Sequence, residues 1–134
     1  MKISKSNLPL PLGAVNNKRS FVALDNLVEL INTCIDHPNA VNQIFLVSDD
    51  SDISTTELLK VMANAFGHKV CLLKISTRFL KFVARLLGKR SIVDRLCDNF
   101  QADIQHTKRT LGWTPHISML EGIKLCAEHL KNGR

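Results

Sequence analysis

Two arginines and one aspartate have side chains that can hold the phosphates and the sugar of a nucleotide. Arg19 follows the turn-forming pair Asn16-Asn17 and precedes an apolar run, and Arg95 comes three residues before Asp98. The planar fork of a guanidinium can bind phosphate oxygens through two parallel hydrogen bonds, and a nearby carboxylate can accept one from a ribose hydroxyl. The alternative for each arginine is a surface or ion-paired side chain that binds no ligand.

Motifs for dinucleotide binding and catalysis are absent from the sequence. The six glycines are dispersed, and the closest two, Gly112 and Gly122, are ten positions apart, so no glycine-rich loop can hold a pyrophosphate at a helix start. The chain has no tyrosine, which excludes a phenolic acid or base, and no Ser-His-Asp, H-E-x-x-H or G-x-S-x-G pattern stands out. We therefore predict no catalytic and no cofactor-binding residue in this chain.

A metal site is not predicted either. The four cysteines are far apart, without a C-x-x-C pair, and the five histidines are scattered. A structural zinc site needs closely spaced ligands. The acidic residues 49–52 lack the alternating ligands, the central glycine and the terminal glutamate of a calcium loop, so a solvated turn is the simpler interpretation.

The overall composition is that of a soluble globular chain, with 45% hydrophobic and 22% charged residues. No apolar run approaches the roughly 20 residues of a membrane span. The amino terminus has no apolar stretch of signal-peptide length. A cytoplasmic location is therefore expected.

Positive charge is concentrated in one segment of this chain, whose net charge is +6. The segment supplies five cations and no acid: Arg78, Lys81, Arg85, Lys89 and Arg90. The first four lie on one stripe of a predicted helix whose other face is apolar, which is typical of a solvated face above a core-packed helix. The alternatives are contact with nucleic acid, with an anionic membrane or with an acidic partner.

The alternation of short apolar runs and amphipathic helices predicts a small α/β fold with short strands and about five helices, in one domain over residues 1–134. Strands are predicted at residues 20–24, 43–48 and 70–75. The first predicted helix begins at Asp25 or Asn26. Two more cover about 54–67 and 77–88, a short one ends at 111–112, and the last covers about 118–130. Capping boxes, Ser54 with Glu57 and Ser118 with Glu121, announce two of these helices.

Three stretches carry a family resemblance. LPLPLGAVNNKRSFVALDNLVELI (8–31) has an arginine, an apolar strand and an Asp-initiated helix, and FLVSDDSDISTTELLKVMANAFG (45–67) has a strand, a polar turn and a helix. ADIQHTKRTLGWTPHISMLEGI (102–123) ends in an L-G-W-x-P motif and a last helix. In this order they resemble the extended short-chain dehydrogenase/reductases that act on nucleotide sugars, the UDP-glucose 4-epimerase-like family, with relatives in bacterial surface-polysaccharide synthesis.

The resemblance implies a substrate site. Arg19 and Arg95 match the two positions that hold the pyrophosphate of the substrate, and Asp98 matches a carboxylate that contacts its ribose. The backbone around Leu10 and Leu12 matches the strand that pairs with the edge of the uracil, because main-chain groups can read a base. A UDP-sugar is the substrate that these matches imply.

The resemblance also implies a second part of the enzyme that this sequence does not contain. In the family, an N-terminal Rossmann half carries the glycine-rich loop and a Tyr-x-x-x-Lys pair, and the chemistry is a hydride transfer to NAD or NADP. We therefore expect a C-terminal substrate-binding lobe, inactive alone, from an epimerase, a reductase or a dehydratase. Its uncovered apolar face, or residues 8–12, should drive self-association, for example as a homodimer.

Two other interpretations remain open. One is a basic interaction module that contacts nucleic acid or an anionic membrane through residues 78–90, and the other is an assembly fragment without a ligand. Aromatic residues for base stacking make up 5% of the chain. An apolar run follows Gly67 where a helix-turn-helix would have its recognition helix. Both observations disfavour nucleic acid.

Overall fold

The computed structural model describes residues 9–132, with side chains described as far as residue 130. Within this part, six α-helices and a two-stranded sheet form a small α/β fold, as predicted. The helices are α1 (Leu24–Asp36), α2 (Thr55–Ala65), α3 (Thr77–Leu86), α4 (Arg90–Cys97), α5 (Gln105–Leu111) and α6 (Met119–Asn132). The strands are β1 (Arg19–Ser20) and β2 (Asp52–Ile53), and Pro38–Ala40 form a 3-10 turn. The helix that sequence analysis missed is α4.

The chain forms two compact units, each built from two stretches of sequence. Unit 1 contains the described residues up to Arg19 together with residues 53–100, and hence α2, α3 and α4. Unit 2 contains residues 20–52 and those from Gln101 onward, and hence α1, α5 and α6. All five residues predicted to bind substrate fall within unit 1.

The start of α2 has the predicted capping box. The Ser54 hydroxyl accepts from the backbone N–H of Glu57 at 3.2 Å, and the Glu57 carboxylate accepts from the backbone N–H of Ser54 at 3.1 Å. The helix ends just before Gly67, whose φ of +69° is a left-handed conformation that glycine adopts without strain. At the start of α6 the Ser118 hydroxyl accepts from the backbone N–H of Glu121 at 3.3 Å. This is one of the two hydrogen bonds of the second predicted capping box.

Glu57 should stabilise the fold only while it is ionised. The backbone N–H and then the hydroxyl of Ser54 hold the pKa of Glu57 below its ordinary value of 4.5. Such a group stabilises the folded state above its unfolded pKa and loses that effect as pH falls through its folded pKa. In urea denaturation we expect the parent chain to have a slightly larger free energy of unfolding than Glu57→Gln at neutral pH, and the difference should disappear in acid. A difference that persisted unchanged in acid would contradict this linkage.

The core of unit 2 forms around the L-G-W motif. Its buried members are Leu30, Ile104, Leu111 and Trp113, with Cys34, Phe45 and Val47 among the half-buried side chains packed against them. Gly112 has a φ of +62°, which ends α5 and leads the chain back so that Leu111 and Trp113 both enter the core.

The start of α1 differs from the prediction. The helix begins at Leu24 with Ala23 as its N-cap, so neither Asp25 nor Asn26 caps it. The carboxylate of Asp49 instead accepts from the Ala23 N–H at 2.9 Å. Asp49 is buried, so the prediction of a fully solvated acidic turn is wrong at this residue. Asn26 is also buried and donates to Asp49 at 2.7 Å.

Two of the three predicted strands do not form. Residues 43–48 are not assigned to a strand, although their side chains alternate: Phe45 and Val47 pack on the core, while Ile44 and Leu46 are exposed. Residues 70–75 contribute only a parallel bridge between Leu72 and Leu10. Of the third predicted strand, residues 20–24, only Ser20 lies in a strand, because β1 ends there. Apolar alternation alone cannot make a strand, because a ladder also needs a neighbouring backbone to pair with.

Two helices expose apolar side chains. On α1, Leu24, Val28, Ile31 and Ile35 are exposed at helical spacing, and on α3 the same is true of Phe79, Phe82 and Leu86. The core-packed apolar face predicted for the basic helix is therefore only partly correct, because among the apolar side chains of α3 just Leu80, Val83 and Ala84 are half-buried or buried. None of the helices in the described residues is long and apolar enough to cross a membrane.

Candidate functional site

The structure places Arg19, Arg95 and Asp98 at the C-terminal end of α4, in unit 1. The guanidinium Nη1 of Arg19 donates a hydrogen bond to the backbone oxygen of Arg95 at 2.9 Å, across 76 positions of sequence. Backbone pairing supports the same arrangement, because Phe100 donates its N–H to the oxygen of Lys18 at 2.8 Å. We call these three residues the arginine site. Arg19 is half-buried, whereas Arg95 and Asp98 are exposed.

Asn17 holds this site together, and sequence analysis had assigned it only to a turn. Its amide nitrogen donates to the backbone oxygens of Leu96 and Asp98, at 3.2 and 2.9 Å. Its amide oxygen accepts from the N–H of Thr55 at 2.9 Å. Thr55 opens α2 and Leu96 lies in the last turn of α4, so one side chain joins two helix ends, and the Leu96 oxygen also accepts from the Thr55 hydroxyl at 2.7 Å. Asn17 is only 5% exposed.

The carboxylate of Asp98 has a cationic partner within the protein. Lys81 Nζ, from α3, lies 2.7 Å from Asp98 Oδ1 and 3.6 Å from Asp94 Oδ1. The hydrogen bond with Asp98 raises the pKa of Lys81 above its ordinary value. Because the Asp98 side chain is 57% exposed, its other oxygen is accessible to a ligand. Lys81, which the sequence placed on a solvated stripe, thus adds a cation beside the arginine site.

The backbone near Leu10 and Leu12 is less available to a base than predicted. The N–H of Leu10 donates to the backbone oxygen of Cys71 at 2.9 Å, and the carbonyl oxygen of Leu10 accepts from the N–H of Leu73 at 2.8 Å. Since its main-chain donor is taken, Leu10 cannot offer it to a uracil edge. The carbonyl of Leu12 accepts from the Thr56 hydroxyl, whereas its N–H has no partner among the described residues. The carbonyl oxygen of Leu10 has a second lone pair, so pairing of the uracil with residues 10 and 12 stays a prediction.

Gly13 allows this backbone pairing. Its N–H donates to the oxygen of Leu73 at 2.9 Å. A Cβ atom at position 13 would lie 2.9 Å from the backbone oxygens of both Leu72 and Leu73, closer than side-chain carbons approach. Glycine is therefore required for residues 10–13 to lie against residues 72–73.

The described residues do not fit a dinucleotide cofactor. Gly67, Gly88 and Gly112 have positive φ and follow the C-terminal ends of α2, α3 and α5. A pyrophosphate needs the opposite end of a helix, where N–H groups point outward. No group of three potential metal-binding side chains lies close enough together in the described chain to hold an ion. We assign no chemical step to a cofactor in this chain.

The arginine site is suited to binding rather than to bond breaking. Cys97 precedes Asp98 in the last turn of α4, and burial raises the pKa of its thiol. A neutral thiol is a poor nucleophile. The Arg19 guanidinium at the backbone of Arg95, the Lys81 ammonium and a partly exposed carboxylate instead match an anionic ligand that also carries hydroxyl groups.

The chain is homologous to part of a nucleotide-sugar epimerase, which confirms the resemblance seen in the sequence. The relative is UDP-glucose 4-epimerase of Vibrio cholerae, which is 46% identical over 129 residues. The match covers 96% of this chain and 39% of that protein, so the chain spans about two-fifths of its relative. No protein-family model matches the chain. No solved structure matches it either.

Proposed function

We propose that unit 1 binds the nucleotide part of a UDP-sugar, as the substrate-binding lobe of a nucleotide-sugar epimerase. The observation that carries the proposal is the convergence of Arg19 and Arg95 at one end of α4, in a chain that is 46% identical to a UDP-glucose 4-epimerase. The two guanidinium groups hold the diphosphate and the accessible oxygen of Asp98 accepts from a ribose hydroxyl. The N–H of Leu12 pairs with the uracil.

The electrostatics of a helix C-terminus make this binding depend on the surrounding donors. The outward carbonyls at that end carry about half a negative charge and would repel a phosphate. Here the carbonyls of Arg95, Leu96 and Asp98 each accept a hydrogen bond, from Arg19 or from Asn17. The bonds reduce the outward negative potential, so the full charges of the two guanidinium groups exceed what remains of it.

The chemistry of the complete enzyme would lie outside this chain. We infer a separate part that carries the glycine-rich loop, the Tyr-x-x-x-Lys pair and a bound NAD or NADP. When bound, the nicotinamide accepts and returns a hydride. This chain would supply binding and orientation, and would be inactive alone. We also expect the isolated chain to self-associate through its uncovered apolar surface.

A thermal-shift titration of the purified chain tests the proposal. We expect UDP and UDP-N-acetylglucosamine to raise the melting temperature, while NAD and a short RNA do not. A ligand at 100 times its dissociation constant stabilises the folded state by about 2.7 kcal/mol, enough for a readable shift. The absence of any shift with the uridine nucleotides would contradict binding by this chain.

Arg19→Ala and Arg95→Ala should each weaken UDP binding by about tenfold or more, because each removes a charge-assisted hydrogen bond to phosphate. Arg109→Ala is the matched control, since Arg109 is an exposed arginine of unit 2 that lies outside the arginine site. Isothermal titration would compare the three variants with the parent chain. Parent-like affinity in both site variants would mean that the site is assigned to the wrong residues.

A further inference from the structure

The outward face of α3 combines large apolar side chains with unpaired cations. Phe79, Phe82 and Leu86 are 59%, 60% and 72% exposed, and Leu87 at the end of the helix is 67% exposed. Apolar side chains of this size that lie together on a surface often mark an interaction site. The face therefore needs an explanation that the arginine site does not provide.

Cations border this apolar stripe. Arg78 precedes Phe82 by four residues and Arg85 follows it by three, spacings that place both beside the ring on the helix surface. Lys81 and Arg90 are ion-paired with acids of α4, but in the described chain no acid pairs with Arg78, Arg85 or Lys89. We call Arg78, Phe79, Phe82, Arg85 and Leu86 the α3 face.

The exposed stripe of α1 provides an internal comparison. Val28 and Ile31 are 48% and 51% exposed, which is similar to the phenylalanines of α3. The exposed charged residues of that helix, however, are Asp25 and Asp36, and α1 carries no lysine or arginine. The two helices therefore differ in the charge that accompanies a comparable apolar surface.

We propose that the α3 face docks onto the surface of an anionic lipid bilayer. Phenylalanine and leucine side chains on a helix lying in the membrane plane insert among the acyl chains, while flanking arginines bind lipid phosphates. Long arginine side chains can reach the headgroups while their stems stay on apolar atoms. An ordered helix with this face needs no refolding to bind.

A lipid surface fits these side chains better than nucleic acid. The three unpaired cations could contact phosphates of either kind, but RNA would leave the exposed leucines at positions 86 and 87 without an apolar partner. A bilayer covers both the cations and the apolar groups. The proposal does not depend on UDP binding, since α3 would act through side chains that lie outside the arginine site.

Vesicle co-sedimentation of the full chain tests the proposal. We expect binding to vesicles of phosphatidylcholine with phosphatidylglycerol, weakened by salt, and much less binding to phosphatidylcholine alone. The double variant Phe79→Gln with Phe82→Gln should bind the anionic vesicles at least about tenfold more weakly. Arg78→Gln with Arg85→Gln should lose about tenfold, because each cation near an anionic surface adds attraction.

The matched control is Val28→Gln with Ile31→Gln on α1, which removes two equally exposed apolar side chains from an acidic helix. It should keep the parent affinity, and circular dichroism should show that all variants are folded. The proposal is wrong if this control loses as much binding as the α3 variants, or if both vesicle types bind alike. It is equally wrong if the chain binds a short RNA and no vesicle.

Discussion

Replacing Asn26 with alanine should lower the free energy of unfolding by about 3–4 kcal/mol, close to the upper end for a single substitution. Asn26 is 1% exposed, and its amide nitrogen donates to Asp49 Oδ1 at 2.7 Å and to the oxygen of Ile117 at 2.8 Å. Its amide oxygen accepts from the N–H groups of His116 and Ile117, at 3.1 and 3.0 Å. Alanine would leave the buried carboxylate of Asp49 and the backbone at 116–117 without these partners.

Urea denaturation measures this loss, and Asn32→Ala is the matched control because Asn32 lies exposed on the same helix. The control should change stability by less than about 0.5 kcal/mol. Asn26→Asp should also be strongly destabilised at neutral pH, because two carboxylates would face each other, and acid should restore part of the loss. An Asn26→Ala variant as stable as the control would contradict the role assigned to this side chain.

Local sequence signals predicted where helices lie better than they predicted which distant residues contact each other. Ser54 with Glu57 predicted the start of α2, because a capping box is built from residues three apart in sequence. The preference for aspartate or asparagine at a helix N-cap placed the start of α1 at Asp25 or Asn26, but in the structure Asn26 donates to Ile117, 91 positions away. Nothing near position 26 in the sequence distinguishes these two uses of an asparagine.

The apolar pattern of α1 shows a second limit of the sequence. The helix predicted after Asp25 or Asn26 forms, and Val28, Leu30, Ile31, Cys34 and Ile35 all recur along it at helical spacing. The structure buries only Leu30 and leaves Val28, Ile31 and Ile35 exposed. Periodicity reports which side chains are apolar, whereas burial depends on what packs against the helix.

The arginine site was predictable only through family resemblance. Composition and spacing left Arg19 and Arg95 as surface or ion-paired residues, since nothing in a sequence joins positions 76 apart. Resemblance selected both, and the structure brings them together. Asn17 was not predicted as a site residue, because the resemblance points to side chains that contact a ligand, whereas Asn17 bonds to the backbone that carries them.

Asn17→Ala should therefore weaken UDP binding by about tenfold although Asn17 is a positioning residue, and should lower the unfolding free energy by about 2–3 kcal/mol. The substitution removes the donor from the carbonyls of Leu96 and Asp98, and the acceptor from the N–H of Thr55. The Leu96 carbonyl would keep the Thr55 hydroxyl as a donor, but the end of α4 that carries Arg95 would lose the bonds that join it to residue 17. Calorimetric titration and urea denaturation of the same sample measure the two effects.

A double-mutant cycle separates positioning from general destabilisation. If Asn17 acts by placing Arg95, the variant Asn17→Ala with Arg95→Ala should bind UDP no more weakly than Arg95→Ala alone. Thr33→Ala is a stability control, because it removes a hydrogen bond within α1, which belongs to unit 2. Additive losses of affinity would show that Asn17 affects binding independently of Arg95. The stability loss would still test its hydrogen bonds if the parent chain bound no nucleotide, since unfolding requires no ligand.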